Sequence, residues 1–182
     1  FLENCLNEGY LKASNNDKVK FYLMWANHSV NYTWDIRNSH NQDTIIWDGK
    51  VNRKDFETVC TRLIEKYFCH PSYYCIDKKP VFMFYDIENL IDGLGGISKT
   101  KEALDWFRSQ AVKASLPGLH LQLVIKNHVK NLSGIDSSSK CAINEACKLL
   151  EFDSVSNYQY CHIVDIDRDY PEILNDVIDY WY

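Results

Sequence analysis

Four apolar runs, each followed by an amphipathic stripe at helical spacing, limit this chain to a small set of folds. The runs are Val19–Ala26, Val81–Tyr85, Leu119–Ile125 and Tyr160–Val164. The first stripe is Phe56, Val59, Cys60, Leu63, Ile64 and Tyr67, at i, i+3, i+4, i+7, i+8 and i+11. Leu104, Phe107, Ala111 and Ala114 form the second, and Ile143, Ala146, Cys147 and Leu150 the third. Ile173, Leu174, Val177, Ile178 and Trp181 form the fourth, with Pro171 in the first turn, where its missing N–H costs nothing. Phe1–Leu11 reads as an opening helix. The first two runs are nearly continuous rather than alternating, as in strands covered on both faces. Strand and helix alternating four times predicts right-handed crossovers and a parallel sheet.

The connections are unequal. Those leaving the carboxyl ends of the expected strands are long or polar: 27–52, 86–98, 127–139 and 165–170. Ligands of parallel α/β folds bind at that end. The chain strands Asn27 and His28, Asp86 and Glu88, Asn127 and His128, and Asp165 and Asp167 there, a ring of polar groups from four strands.

Composition narrows the ligand. A net charge of −5, with Lys and Arg scattered, argues against nucleic acid, which rewards a concentrated basic face. Aromatic residues make up 14%, including 12 Tyr and 5 Trp. Flat rings with polar edges suit sugar and peptide surfaces, although a Tyr-rich core and surface explains the same count. Seven cysteines is an odd number without a disulfide framework, so reduced, mostly buried thiols are expected. No apolar span is long enough for a membrane and no signal peptide is visible, so a cytoplasmic setting is expected, with a secreted or periplasmic one as the alternative. The chain starts inside a helical pattern without an initiator Met and reads as part of something longer.

Several motifs have plain explanations. Gly93–Thr100 resembles a phosphate loop, but Ile87–Asp92 separate it from its strand. Its glycines more simply end a helical turn, with Ser98 or Thr100 capping the next helix. Asp165, Asp167 and Asp169 alternate as cation ligands do, yet Tyr170 stands where a calcium loop needs glycine. Asp169 is read as starting the last helix, while Asp165 and Asp167 stay open as a metal pair for a nucleotide sugar. Asp86 and Glu88 are candidate glycosidic carboxylates, or else a capped turn. No other cofactor motif is present, and none is expected.

Lys20–His28, KFYLMWANH, followed by Trp34 and Asp35, resembles the Trp-Ala-Asn strand of glycoside hydrolase family 99-like proteins, including their WbsX type. The likeness continues through Phe68–Tyr74, Lys79–Tyr85 and Leu116–Leu121. The resemblance implies a (β/α)8 TIM-like barrel working on glycans, of which residues 1–182 would be a single partial domain with about four β/α units. An open parallel α/β sheet is the alternative. The resemblance implies retaining endo-mannosidase chemistry with carboxylates and the substrate's 2-hydroxyl, or the glycosyl transfer by which the WbsX type is labelled; a non-catalytic glycan-binding domain that kept the fold is the further alternative. The position that is acidic in many relatives is His28 here, and the catalytic Trp-Asn-Glu segment is expected outside residues 1–182. The expected partners are a glycan or polysaccharide and the remainder of the barrel, with no nucleic acid and no membrane span. Trp25, Asn27, His28, Trp34, Asp35 and Tyr85 are the expected sugar-binding residues, Trp25 being equally readable as core.

Overall fold

The structure, a computed structural model, describes residues 3–33, 35–125, 132 and 142–181. Trp34, Asn127, His128 and the serine run 137–139 lie outside the described residues, as does the His162 side chain. Strands β1 (Leu23–Trp25), β5 (Lys79–Phe84), β6 (His120–Ile125) and β7 (Ser154–Asn157) form a parallel sheet in that order. Between β1 and helix α1 (Arg53–Leu63) runs an antiparallel pair, β2 (Val30–Asn31) and β3 (Ile45–Trp47). Short β4 (Cys75–Ile76) folds back on β5. Helices α2 (Ile87–Leu94) and α3 (Ile97–Lys113) follow β5, α4 (Ala142–Leu149) precedes β7, and α5 (Tyr170–Trp181) ends the chain.

The strand order runs with the chain and never reverses. Right-handed crossovers in such an order put every helix on one side of the sheet, whereas a doubly wound sheet needs a reversal. Phe56 of α1, Leu90 of α2, Phe107 of α3 and Ala146 of α4 accordingly share one apolar cluster with Phe82, Phe84, Leu121 and Leu123. This is a mixed α/β fold with a parallel sheet, the arrangement of part of a (β/α)8 barrel and equally of an open sheet wound one way. Phe84 is the hub. It stacks on Phe56 at 6.4 Å between centroids and meets Phe82 edge-on at 5.1 Å.

Register puts Met24, Met83, Gln122 and Ser154 on the opposite face. His120 hydrogen-bonds the Ser154 hydroxyl there at 2.8 Å. Deep in the sheet, the Tyr73 hydroxyl accepts from Leu23 N at 3.2 Å and donates to Val81 O at 2.8 Å, tying β1 to β5. Burial pushes its phenol far above the usual range. With the folded pKa above the unfolded value near 10, Tyr73's contribution is complete below about pH 10 and lost as pH rises through the folded pKa. Tyr73→Phe should therefore cost about 1–2 kcal/mol near neutrality and flatten the alkaline fall in stability. Urea titrations at about pH 8 and about pH 11 check both effects.

The sequence misplaced some elements. The expected strand Tyr160–Val164 is a short 3-10 turn at Tyr160–His162, whose Tyr160 carbonyl accepts from Ile163 N and Val164 N. The fourth strand is instead the polar Ser154–Asn157, fixed by Asp153, whose N donates to Leu121 O while its carboxylate accepts from Leu121 N. β1 is three residues long, shorter than its apolar run, with Phe21 joined to Tyr73 by an isolated bridge. The opening helix is present over Cys5–Lys12 as a π turn passing into a 3-10 turn. Neither Ser98 nor Thr100 caps α3: Gly96 holds that position, and the Thr100 hydroxyl donates back to the Gly96 carbonyl. Gly95 does end α2, at φ +89°. Among the six described cysteines only Cys60 is buried; Cys5, Cys69, Cys75 and Cys161 are exposed in turns or short elements, and all six are free thiols.

Candidate functional site

Asn27 closes the carboxyl end of β1 against that of β5. Its side chain is 3% exposed. The amide donates to Asp86 O at 2.6 Å and accepts from Asp86 N at 2.8 Å, so one side chain bonds both backbone groups of the residue two past the end of β5. The Asn27 carbonyl accepts from the Asn89 side chain at 3.0 Å, and Asp86 Oδ1 caps α2 by accepting from Asn89 N at 3.0 Å. Trp-Ala-Asn and Asp-Ile-Glu-Asn are thus two halves of one clamp. Asn27 was expected to meet sugar hydroxyls; its side-chain amide is engaged by the Asp86 backbone, while the residue also borders the cleft beside Trp25.

What the clamp presents is aromatic. His28, exposed, meets Tyr85 edge-on at 5.3 Å, and Tyr85 meets Tyr158 edge-on at 5.0 Å. These three residues follow β1, β5 and β7, so a row of rings crosses the carboxyl end of the sheet. His28 Nδ1 lies 3.0 Å from the Ser29 carbonyl oxygen, which only accepts, so Nδ1 is the donor of this contact and Nε2 is the ring's other polar position. Burial raises the Tyr85 pKa, with Tyr158 and Asp86 adding to it, so the phenol remains a hydroxyl at neutral pH.

The other expected site residues are distributed differently. Trp25 stacks on Phe56 at 6.1 Å and tilts against Phe84 at 6.1 Å, half-buried on the helix side of the sheet. That is its core reading, with one edge reaching the cleft beside Asn27. Asp35 holds Arg37 Nε at 2.9 Å and Asn38 Nδ2 at 2.8 Å, and these bonds keep its carboxyl below the usual range. Glu88 lies in the first turn of α2, favourable for the helix dipole. Asp165 and Asp167 lie exposed in the β7–α5 connection, where Asp165 Oδ1 accepts from Asp167 N at 3.0 Å. No group of three or more His, Cys, Asp or Glu placed to hold a metal occurs among the described residues. Two aromatic residues at this end escaped the sequence reading: Tyr158, because β7 was misplaced, and Trp47, because the β2–β3 hairpin was read as a loop.

The aromatic, hydrogen-bonding row thus stands at the carboxyl end of a parallel α/β sheet, the end where such folds bind ligands. Residues 1–181 match the family Glycosyltransferase WbsX, and this chain belongs to that family. Membership marks it as glycan-active. No curated protein and no solved structure gives a significant match. No helix among the described residues is long and apolar enough to cross a membrane.

Proposed function

We propose that this chain forms the sugar-holding wall of an active site on mannose-containing or bacterial surface-polysaccharide glycans. The reacting carboxylates come from outside residues 1–182, and the chemistry is glycoside hydrolase-like. The observation that carries this reading is the His28–Tyr85–Tyr158 row at the carboxyl end of the sheet, in a member of a glycan-active family. Ring faces for pyranose stacking stand beside a polar ring nitrogen, His28 Nε2, and a phenolic donor, which is the equipment for holding hydroxyls.

The same geometry supports a reacting pair elsewhere. A glycosidic general acid needs a carboxyl whose pKa is raised, and Asp35 is shifted the opposite way by Arg37 and Asn38. Asp86 has its Oδ1 engaged by the Asn89 amide at the start of α2. Glycosyl transfer is the second reading, favoured by the family's designation. If Asp165 and Asp167 served a metal-bound nucleotide sugar, Mn²⁺ with that donor would raise Tm and Asp165→Ala would abolish the rise. The free exposed thiols support a cytoplasmic setting, where they stay reduced.

The test is a titration of the chain with a mannotetraose. His28→Ala should weaken binding about tenfold, the loss of one polar contact and one ring edge, while His28→Gln, which keeps a polar group, should retain most of it. Equal affinity for wild type and His28→Ala would remove His28 from the site.

A further inference from the structure

The excursion between β1 and α1 carries a large exposed ring on a fixed backbone. Trp47 of β3 is 74% exposed. Its strand is nevertheless pinned. A Cβ on Gly49 would lie 2.4 Å from the His28 carbonyl carbon and 2.7 Å from the Asn27 carbonyl oxygen, so only glycine lets the returning chain lie directly on the end of β1. Gly49 N also donates to the Ser29 hydroxyl at 3.2 Å. Two residues on, Val51 is pressed against α2: a Cβ on Gly93 would sit 2.6 Å from its carbonyl oxygen. Lys50 reaches Asp92 of α2 at 3.2 Å. Trp47 is therefore held at the rim of a cleft of about 430 Å³ that Asn27, His28, Asp48, Lys50 and Asp55 also line. That volume falls in the range of small-ligand clefts.

We infer that this cleft is a further sugar subsite, in which Trp47 stacks on a neutral hexopyranose ring of the same glycan whose neighbouring residues lie along His28 and Tyr85. The inference rests on the glycan reading of the carboxyl end and extends it by one subsite on the β2–β3 hairpin. His28 lines the cleft and also touches Tyr85, so the two regions are continuous. The lining decides the ligand's charge. Asp48 and Asp55 face one ammonium, Lys50, which already pairs with Asp92. A uronic acid would bring its carboxylate into a net negative cleft, whereas neutral hydroxyls use the carboxylates as acceptors. A lipid surface would want cations around the aromatic tip, and the cleft holds acids there.

The test is mannotetraose binding followed through the ¹⁵N indole resonances of the chain, with tetragalacturonate as the anionic counterpart. The Trp47 indole should shift on addition of mannotetraose. Trp47→Ala should weaken binding about tenfold with an unchanged melting temperature, Trp47→Tyr should restore most of it, and Trp106→Ala, on α3, should have no effect. Tetragalacturonate should bind at least about tenfold more weakly than mannotetraose. Undiminished binding in Trp47→Ala alongside a loss in His28→Ala would overturn the subsite and leave the glycan reading intact. Absence of any mannotetraose binding, or indifference to both substitutions, would overturn both.

Discussion

Phe84→Ala is expected to lose about 3–5 kcal/mol of folding stability, the cost of truncating a fully buried phenylalanine whose surroundings collapse only in part. Phe84 is 0% exposed and touches rings from four elements or segments: Phe56 of α1, Phe82 of its own strand, Trp25 of β1 and Phe152 ahead of β7. No single neighbour can move into the gap without abandoning its own contact. Against a total of about 5–15 kcal/mol for an ordinary domain, such a loss leaves a protein close to unfolding at physiological temperature. Phe84→Leu keeps much of the volume and should cost less than half as much. Urea midpoints with unchanged m-values would check the pair. The folded fraction should still bind sugar, because Tyr85, the next residue, is turned to the other face.

Asn27→Ala is the second large effect, about 1–3 kcal/mol, and it should also abolish sugar binding. The Asp86 N–H donates to this side-chain amide and the Asp86 carbonyl accepts from it, the carbonyl accepting also from Leu90 N at 3.2 Å. Removing the amide takes the Asn27 acceptor from the half-buried Asp86 N–H, at about 1–3 kcal/mol, while the Asp86 carbonyl keeps Leu90 N. Function suffers with stability because Asp86 starts α2 and follows Tyr85, so the aromatic row loses its backing. Asn27→Asp keeps the acceptor and loses the donor, placing a carboxylate against the Asp86 carbonyl. Its stability should therefore be better at low pH, where the protonated acid can donate, and fall as pH rises. Denaturation midpoints across pH for the two variants would separate a lost hydrogen bond from an imposed charge.

These two residues show what the sequence made legible. Phe84 lies in an apolar run whose continuity predicted a strand covered on both faces, and the helix stripes of Phe56 and Phe107 predicted what would cover it. Periodicity reports burial, so burial is what it found. Asn27 was recognised as a strand-end polar residue, but its partner is the backbone of Asp86, 59 residues away, and no spacing rule reports a side chain bonding a distant residue's backbone. Trp25 illustrates the same limit: an aromatic at a strand end has the composition of a sugar platform, and only the phase of the strand put its ring on Phe56.

The fourth strand was missed for a different reason. Tyr160–Val164 has the apolar content of a strand, whereas the real one reads Ser-Val-Ser-Asn. Its place is set by the end of α4, where Glu151 takes φ +56°, and by the Asp153 carboxylate meeting Leu121 N. Tyr158 joined the site only once that strand was in place. Gly49 and Gly93 were visible as letters, but the close backbone approaches that demand them are tertiary facts. Through them the β2–β3 hairpin brings Trp47 to the same end of the sheet.

The central claim is that the ring row at the carboxyl end of the sheet holds the glycan. Its most direct test is amide and side-chain chemical-shift mapping of the labelled chain with mannotetraose at roughly 10 mM, enough to populate a millimolar complex. The account predicts the largest changes at His28, Ser29, Tyr85 and Tyr158, with Leu121 and Phe107 unmoved. Saturable shifts confined to other surfaces, or none at these four residues, would contradict it.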